Sequence, residues 1–312
     1  MSRTKDGIKP SISGKALLKE VPGIDESIDV NTHEFSNVPS DWIEWDEWVS
    51  LSGYINKQLS YYDGIVVVQG TDTIEESAYF FNLTISSNKP VVVTGAMRSS
   101  DVWDTDGPRN LRDSLRVAAC QDAISKGVVV VVGGEIHAAR DVVKIDKQFV
   151  SAFGSGRKGA LGIVDELGVT FFRSPERRHT YNSEFAPFRS ESLPRVDIVY
   201  TFTGMDMGIF DFLIKRGSKG IVIVAAGIGN TSKRLYEALG SIVKNVPVVI
   251  TSRAFHGRVA PIYGYEGGGK SLHDIGCIMG EDLHPLKARI LLSLLLSYGM
   301  DTSAIETAFR EY

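Results

Sequence analysis

Six short runs of mostly β-branched residues, separated by segments with helical periodicity, constrain the fold of this chain most strongly. Each run holds four or five nearly continuous apolar residues, which is typical of strands buried on both faces. The runs occupy residues 65–68, 91–94, 128–132, 198–202, 221–225 and 248–251. Because strands alternate with helical segments, the pattern predicts βαβ units, parallel sheets and therefore an α/β fold.

The predicted helices have apolar residues at three- and four-residue spacing. The clearest covers residues 108–125, with Pro108 in its first turn and with Leu111 and Leu115 on one face. Further helices are predicted at residues 75–83, 211–216, 233–239 and 287–298. These helices supply the crossover connections that parallel strands require.

The pattern also predicts two domains. With 312 residues, the chain has the length of about two average domains. Residues 1–183 are predicted to form a larger N-terminal domain around a parallel sheet, and residues 195–312 a smaller C-terminal α/β domain. Residues 184–194 lack a clean periodicity and are rich in Ser, Pro and charged side chains. We interpret them as a linker.

Composition argues against several partners. The formal net charge is -4, and no basic cluster offsets it, so neither a nucleic acid nor a membrane surface is expected as a partner. Cys120 and Cys277 both lie in apolar runs, which favours buried free thiols over a disulfide. The first ten residues lack the apolar core of a secretory signal. Together these features predict a cytoplasmic protein.

Glycines and polar residues follow the first three strands directly. They form the Gln-Gly-Thr-Asp run at 69–72, the Thr-Gly-Ala-Met-Arg run at 94–98, and the Gly-Gly-Glu run at 133–135. Ligands of open parallel sheets bind beyond the carboxyl ends of the strands. Glycines at such positions let backbone amides approach a ligand closely. We therefore expect the three strand ends to surround one site.

Thr71, Asp72 and Lys144 are the residues best suited to chemistry at this edge. A threonine hydroxyl is a weak nucleophile until a base removes its proton. A lysine amine can be that base, and a carboxylate can orient it. A structural explanation is also open, because Asp72 with Glu75, or Thr73 with Glu76, matches the capping box that begins many helices.

Several of these segments resemble the bacterial-type L-asparaginases. The similarity is carried by residues 69–73, 94–98, 106–111 and 139–144, with weaker similarity at 226–230 and 287–289. It extends over essentially the whole chain. The resemblance implies a two-domain α/β amidohydrolase that converts L-asparagine to L-aspartate and ammonia through an acyl-enzyme, without a cofactor or a metal.

The resemblance assigns Thr71, Asp72 and Lys144 to one catalytic triad. Lys144 would be the base, Thr71 would help to activate the attacking group, and Asp72 would orient Lys144 and the substrate amino group.

The resemblance also implies residues that bind the substrate. Ser40 matches the position that holds the α-carboxylate of asparagine, and Asp41 stands where many relatives carry Gln. Gly70 and Ala96 would contact the substrate, Ala96 through its backbone. The resemblance further implies a homodimer or a homotetramer.

One signature of the family does not occur in these 312 residues. Relatives carry a strand that ends in Thr-Gly-Gly-Thr-Ile, whose second threonine is the primary nucleophile, whereas residues 7–11 and 17–22 resemble the segments after that strand. Two explanations are open. Either Met1 is an internal methionine of a longer, active protein, or the chain is truncated and inactive. The first is favoured because the later motifs are intact.

Two other functions remain as alternatives. The missing nucleophile suggests a non-catalytic homologue that binds an amino acid. An asparaginase-like domain can also produce ammonia as a subunit of a tRNA-dependent amidotransferase, although that role would normally require an additional N-terminal domain.

The run at 264–271 matches the P-loop pattern, but Pro261 interrupts the preceding strand and few residues follow in which a helix could form. This loop resembles a Gly-rich segment of the asparaginase C-terminal domain. Tyr263, Tyr265 and Glu266 are therefore candidates for contacts with a neighbouring subunit's site. The six histidines show no metal-ligand spacing.

Overall fold

The chain folds into two α/β units, Met1–Arg189 and Ser190–Tyr312. The computed structural model describes residues 2–4, 7–9, 13–21, 23–24, 27–190 and 192–312. The α/β class predicted from the sequence is confirmed, with the larger unit at the N-terminal end. The division falls within the linker predicted at 184–194, whose exact bounds stay a prediction.

A mixed six-stranded sheet forms the centre of the first unit. The strands of this unit are β1 (Ser2–Thr4), β2 (Gly7–Lys9), β3 (Ile65–Val68), β4 (Val91–Thr94), β5 (Val128–Val132), β6 (Glu135–Ala138), β7 (Val143–Lys144), β8 (Phe153–Gly154), β9 (Gly162–Asp165) and β10 (Gly168–Phe171). The order in the large sheet is β10-β9-β6-β5-β4-β3, in which β3, β4 and β5 are parallel and the others antiparallel. Among the described strands of this sheet, only β3, β4 and β5 pair in parallel, whereas the sequence predicted a parallel sheet.

The α-helices in the described part of this unit are α1 (Gly14–Lys19), α2 (Trp45–Gln58), α3 (Ile74–Thr84) and α4 (Gly107–Ala118). Helix α4 packs on β3, β4 and β5, and α3 packs on β4 and β5. The helix predicted over 108–125 is therefore too long. After Ala118 a 3-10 turn, Gln121–Ala123, places Ala123 in the core and continues the apolar spacing beyond the helix.

The second unit contains a four-stranded parallel sheet. Its strands are β11 (Val196–Tyr200), β12 (Gly220–Ala225), β13 (Val248–Ser252) and β14 (Ile278–Met279), in that order. Its helices are α5 (Gly208–Lys215), α6 (Lys233–Ile242), α7 (Gly269–Asp274), α8 (Pro285–Ser297) and α9 (Thr302–Glu311). Among the described residues, none of the helices of either unit has the length and apolar character to cross a bilayer.

His284, the residue before α8, is a partly buried histidine. Burial, together with the positive charge of Lys287, lowers the pKa of its imidazole from 6.5 to about 4. Its Nδ1 atom is buried and forms no hydrogen bond with the part of the chain that the structure describes. The folded second unit therefore favours the neutral form of this side chain.

We expect His284 to make the free energy of unfolding fall by about 2 kcal/mol between pH ~7 and pH ~5. The unfolded imidazole binds a proton below pH ~6.5, whereas the folded imidazole stays neutral until pH ~4, so acid favours the unfolded chain. This stability is fully present above pH ~6.5 and is lost as the pH falls towards ~4. Urea unfolding of the wild type and His284→Gln at both pH values measures it. Equal losses in the two proteins would contradict the assignment.

Candidate active site

The structure brings Thr71, Asp72 and Lys144 together at the end of β3. Thr71 and Asp72 lie on a 3-10 turn, Thr71–Thr73, that leads directly into α3. Lys144 is the last residue of β7. Its Nζ atom lies 2.9 Å from Thr71 Oγ1 and 2.6 Å from Asp72 Oδ1. The three residues thus form one hydrogen-bonded cluster, and their catalytic roles stay a prediction.

Burial differs sharply within this cluster. The Lys144 side chain is 17% exposed, whereas that of Asp72 is 69% exposed, and Thr71 is half-buried. The lysine amine is therefore largely enclosed by protein. Because the Asp72 carboxylate faces solvent, it can contact both Lys144 and the positively charged amino group of an incoming ligand.

Two glycines allow the strand ends to pack closely around the cluster. A Cβ atom on Gly70 would lie 2.7 Å from Ser40 Oγ, and one on Gly95 would lie 2.5 Å from the carbonyl oxygen of Gln69. Both distances are far below a normal contact: a side chain at Gly95 would collide with the backbone of Gln69, and one at Gly70 would displace the side chain of Ser40. The turn after β3 and the turn after β4 therefore lie in direct contact.

Ser40 and Asp41 occupy another 3-10 turn, Ser40–Trp42. Ser40 is only 3% exposed, and its carbonyl oxygen accepts a hydrogen bond of 3.1 Å from Thr73 Oγ1. Asp41, the next residue, is exposed to solvent. Ser40, rather than Asp41, is the residue of this turn that packs against Gly70 beside the cluster.

The capping-box interpretation of this segment is wrong. The N-cap residue of α3 is Thr73, and its side chain makes no capping hydrogen bond. Asp72 instead pairs with Lys144. Glu75 is buried, and its Oε2 atom accepts a hydrogen bond of 2.8 Å from the backbone N–H of Lys144. Glu75 thus belongs to the site, although a helix cap explained it equally well from the sequence.

Asp106 and Asn110, at the start of α4, hold the turns after β4 and β5. The Asn110 amide donates to the carbonyl oxygen of Gly95 at 2.9 Å and to Asp106 Oδ2 at 3.0 Å. Its Oδ1 atom accepts from the N–H of Gly133 at 3.0 Å, and Asp106 Oδ2 accepts from the N–H of Met97, also at 3.0 Å. One buried amide therefore links the two strand ends. Sequence analysis did not identify this role, although an amide side chain next to the apolar face of an amphipathic helix is a signal that could have indicated it.

The segment that carries Lys144 is fixed from a second direction. Strand β7 pairs with β8, and Ser155 follows β8 directly. Ser155 Oγ lies 2.9 Å from Nδ1 of the buried His137 on β6.

Across the described ranges of the chain, no group of three or more His, Cys, Asp or Glu side chains is arranged to hold a metal ion.

An apolar cavity of about 570 Å³ runs beside β3 and extends to Gly70, the residue before Thr71. Strand β3 is the edge strand of the six-stranded sheet as far as the structure describes it, and its last residue, Val68, is 46% exposed. Gly70, Gly95 and Ala96 lie on the wall of the cavity. Its apolar wall is formed by β3 and by helices α1, α2 and α4, through Leu17, Leu18, Trp48, Ile55, Val66, Leu111 and Leu115.

The Gly-rich loop of the second unit does not have the geometry of a phosphate-binding loop. Helix α7 is six residues long, and Lys270 Nζ pairs with Asp274 Oδ1 at 2.6 Å. Tyr263 and Tyr265 pack ring against ring at 5.8 Å and are about half exposed. Glu266 forms an exposed ion pair of 2.7 Å with Lys233. These side chains form part of the surface of the second unit.

Comparisons with known proteins cover almost the whole chain. The family described as "Asparaginase, N-terminal" matches residues 1–177, and "Glutaminase/Asparaginase C-terminal domain" matches residues 195–309. A "Probable L-asparaginase" of Deinococcus radiodurans is 35% identical over 97% of this chain and 93% of its own length. "L-asparaginase 2" of Bacillus subtilis is 36% identical over 96% of this chain and 78% of its own length.

The fold is likewise similar to a solved structure. The crystal structure of a "Probable Cytoplasmic L-asparaginase" from Campylobacter jejuni matches with a TM-score of 0.91 and 37% sequence identity. The match covers 96% of this chain and 95% of the other.

Proposed function

The chain belongs to the asparaginase family, and on this basis we propose that it hydrolyses L-asparagine to L-aspartate and ammonia through a threonine-based acyl-enzyme. The observation that carries the proposal is the position of Lys144 Nζ, within hydrogen-bond distance of both Thr71 Oγ1 and Asp72 Oδ1. A base next to a hydroxyl, with a carboxylate that orients the base, is the arrangement that covalent amide hydrolysis requires.

The reaction proceeds in two steps. The hydroxyl oxygen of the primary nucleophile, a threonine other than Thr71, bonds to the side-chain carbonyl carbon of asparagine. The hydroxyl proton passes through Thr71 to Lys144 Nζ. The C–N bond then breaks, the proton passes to the departing nitrogen, and ammonia leaves an aspartyl ester on the enzyme. Water attacks the ester, which releases aspartate and restores the hydroxyl group. Thr71 relays protons between the attacking oxygen or water and Lys144.

Ser40, Gly70, Asp72 and Ala96 hold the substrate in this proposal. Asp72 is exposed and negatively charged, so it pairs with the substrate's α-ammonium group. The Ser40 hydroxyl donates to the α-carboxylate, and the backbone at Ala96 contacts the side-chain amide. Asp41 lies beside this set and is assigned no contact of its own.

The primary nucleophile, in our proposal, is delivered by an extended segment that lies in the cavity beside β3. The cavity follows an edge strand and has apolar walls from three helices, which is the environment of a strand buried on both faces. A segment parallel to β3 would end beside Gly70, next to Thr71. A strand that ends in the family's Thr-Gly-Gly-Thr-Ile signature would bring its second threonine to this end of β3.

Ammonia release from L-asparagine tests the proposal. The purified 312-residue chain is assayed alone and with a synthetic peptide of five apolar residues followed by Thr-Gly-Gly-Thr-Ile. We expect slow release alone and a saturable increase of at least about 100-fold with the peptide. The matched control is the same peptide with valine in place of its second threonine, which should bind without restoring the rate.

The outcomes separate the two parts of the proposal. Full activity without the peptide would contradict the role of the cavity and support the asparaginase activity. If the folded protein releases no ammonia with either peptide, the hydrolase proposal is wrong. A rise in melting temperature with L-aspartate would then indicate a binding protein.

We also propose that the protein is a cytoplasmic homo-oligomer. Both cysteines are free thiols, and the similar Campylobacter jejuni protein is described as cytoplasmic. Ile262, Tyr263 and Tyr265 expose apolar surface on the second unit, which is suited to contact with another subunit. Sedimentation equilibrium should give two or four times the chain mass of 34.2 kDa, and a monomer would contradict the proposal.

A further inference from the structure

Glu75 is a buried carboxylate next to the cluster of Thr71, Asp72 and Lys144, and the proposed reaction steps give it no part. It lies in the first turn of α3 and is 7% exposed. Its Oε2 atom accepts a hydrogen bond of 2.8 Å from the backbone N–H of Lys144. Burying a carboxylate is costly unless hydrogen bonds compensate it. A bond from a backbone N–H to an ionised acceptor is stronger than a neutral one.

This bond joins the two parts of the chain that form the cluster. Thr71 and Asp72 lie on the turn that leads directly into the first turn of α3, where Glu75 is. Lys144 lies on β7, which is only two residues long. A lysine side chain is flexible, so the position of its amine depends on where its main chain is held. Glu75 holds that main chain against the helix that carries Thr71 and Asp72.

Helix α3 makes a second bond of the same kind far from the cluster. Asn82, near its other end, accepts a hydrogen bond of 3.0 Å from the backbone N–H of Val128 on β5. Asn82 is also buried, with 6% exposure. Both side chains connect α3 to a neighbouring strand through a backbone N–H group, but only the bond of Glu75 ends on a residue of the cluster.

We propose that Glu75 is a positioning residue for the reaction, which acts by fixing the main chain of Lys144 so that its amine reaches Thr71. The inference rests on the proposed function. Glu75 contacts neither the substrate nor the reacting atoms in this proposal. It therefore affects the rate of the chemical step and leaves substrate binding nearly unchanged.

Three variants test this role: Glu75→Ala removes the acceptor, Glu75→Gln keeps an acceptor without the charge, and Asn82→Ala is the matched structural control. We expect kcat for asparagine to fall about 100-fold in Glu75→Ala and about 10-fold in Glu75→Gln, with KM within about threefold of the wild type. Asn82→Ala should lower the melting temperature as Glu75→Ala does, but change kcat by less than about twofold. Assays contain the Thr-Gly-Gly-Thr-Ile peptide if the wild type needs it.

Hydrogen exchange provides a readout that does not depend on catalysis. The peptide covering residues 142–146 should exchange faster in Glu75→Ala than in the wild type, and at the wild-type rate in Asn82→Ala. Equal kcat losses in Glu75→Ala and Asn82→Ala, or unchanged exchange at 142–146 in Glu75→Ala, would overturn the proposal. If the wild type hydrolyses nothing, the proposed function fails, and the exchange comparison still decides the role of Glu75.

Discussion

Replacing Lys144 with methionine is expected to lower kcat for asparagine hydrolysis by about 1,000-fold. Methionine keeps most of the length of the side chain but has no amine, so no group remains at 2.9 Å from Thr71 Oγ1 to take a proton. Asp72 also loses its partner, which lies 2.6 Å away. Because Asp72 and Ser40, which hold the substrate in our proposal, remain in place, KM should change by only a few-fold.

The control for this prediction is Lys158→Met. The Lys158 amine forms a comparable ion pair, 2.7 Å from Asp141 Oδ1, but our mechanism gives it no role. Asp141 would keep its ion pair of 3.4 Å with Arg140 in this variant, so kcat should stay within about twofold of the wild type. Steady-state ammonia release by both variants tests whether Lys144 is the base. Circular dichroism verifies that both variants are folded. If folded Lys144→Met retains the wild-type rate, Lys144 is not the base.

The parallel strands were the most predictable part of this fold. The predicted runs at 65–68, 91–94 and 128–132 coincide with β3, β4 and β5. Strands covered on both faces need apolar side chains at every position, which gives a continuous signal. Strands β6, β9 and β10 were missed because they begin with Gly or Glu and contain charged or polar residues. Their antiparallel pairing depends on neighbours in space that a local pattern does not contain.

The candidate site was predictable to a different degree at each position. Thr71 and Asp72 follow a strand end, where the general rule for α/β sheets places ligands. Lys144 lies 73 residues further along the chain than Thr71, in the stretch after the third predicted strand, so its distance from Thr71 in sequence left its role as a base weakly defined until the family resemblance supported it. The role of Glu75 was hidden, since a carboxylate in the first turn of a helix has an adequate explanation as a cap.

Replacing Asn110 with leucine should lower the free energy of unfolding by about 3 kcal/mol. Leucine has a similar volume but forms none of the three hydrogen bonds that the Asn110 side chain makes. The carbonyl oxygen of Gly95 and the N–H of Gly133 would lose their side-chain partner at a site where Asn110 is only 1% exposed. Buried polar groups left without a partner cost about 1–3 kcal/mol each.

The same substitution should reduce asparagine hydrolysis, because Asn110 links the turns after β4 and β5 that border the cluster. We expect kcat/KM to fall about 10- to 100-fold at a temperature where the variant is folded. Asn245→Leu is the control, since its amide donates to the carbonyl oxygen of Ser241 at an exposed position of the second unit. Urea unfolding should place that control within about 0.5 kcal/mol of the wild type.

If Asn110→Leu is as stable as the control, the amide does not hold these turns. A large loss of stability with unchanged kcat/KM would show instead that the cluster around Thr71 and Lys144 keeps its geometry without this link.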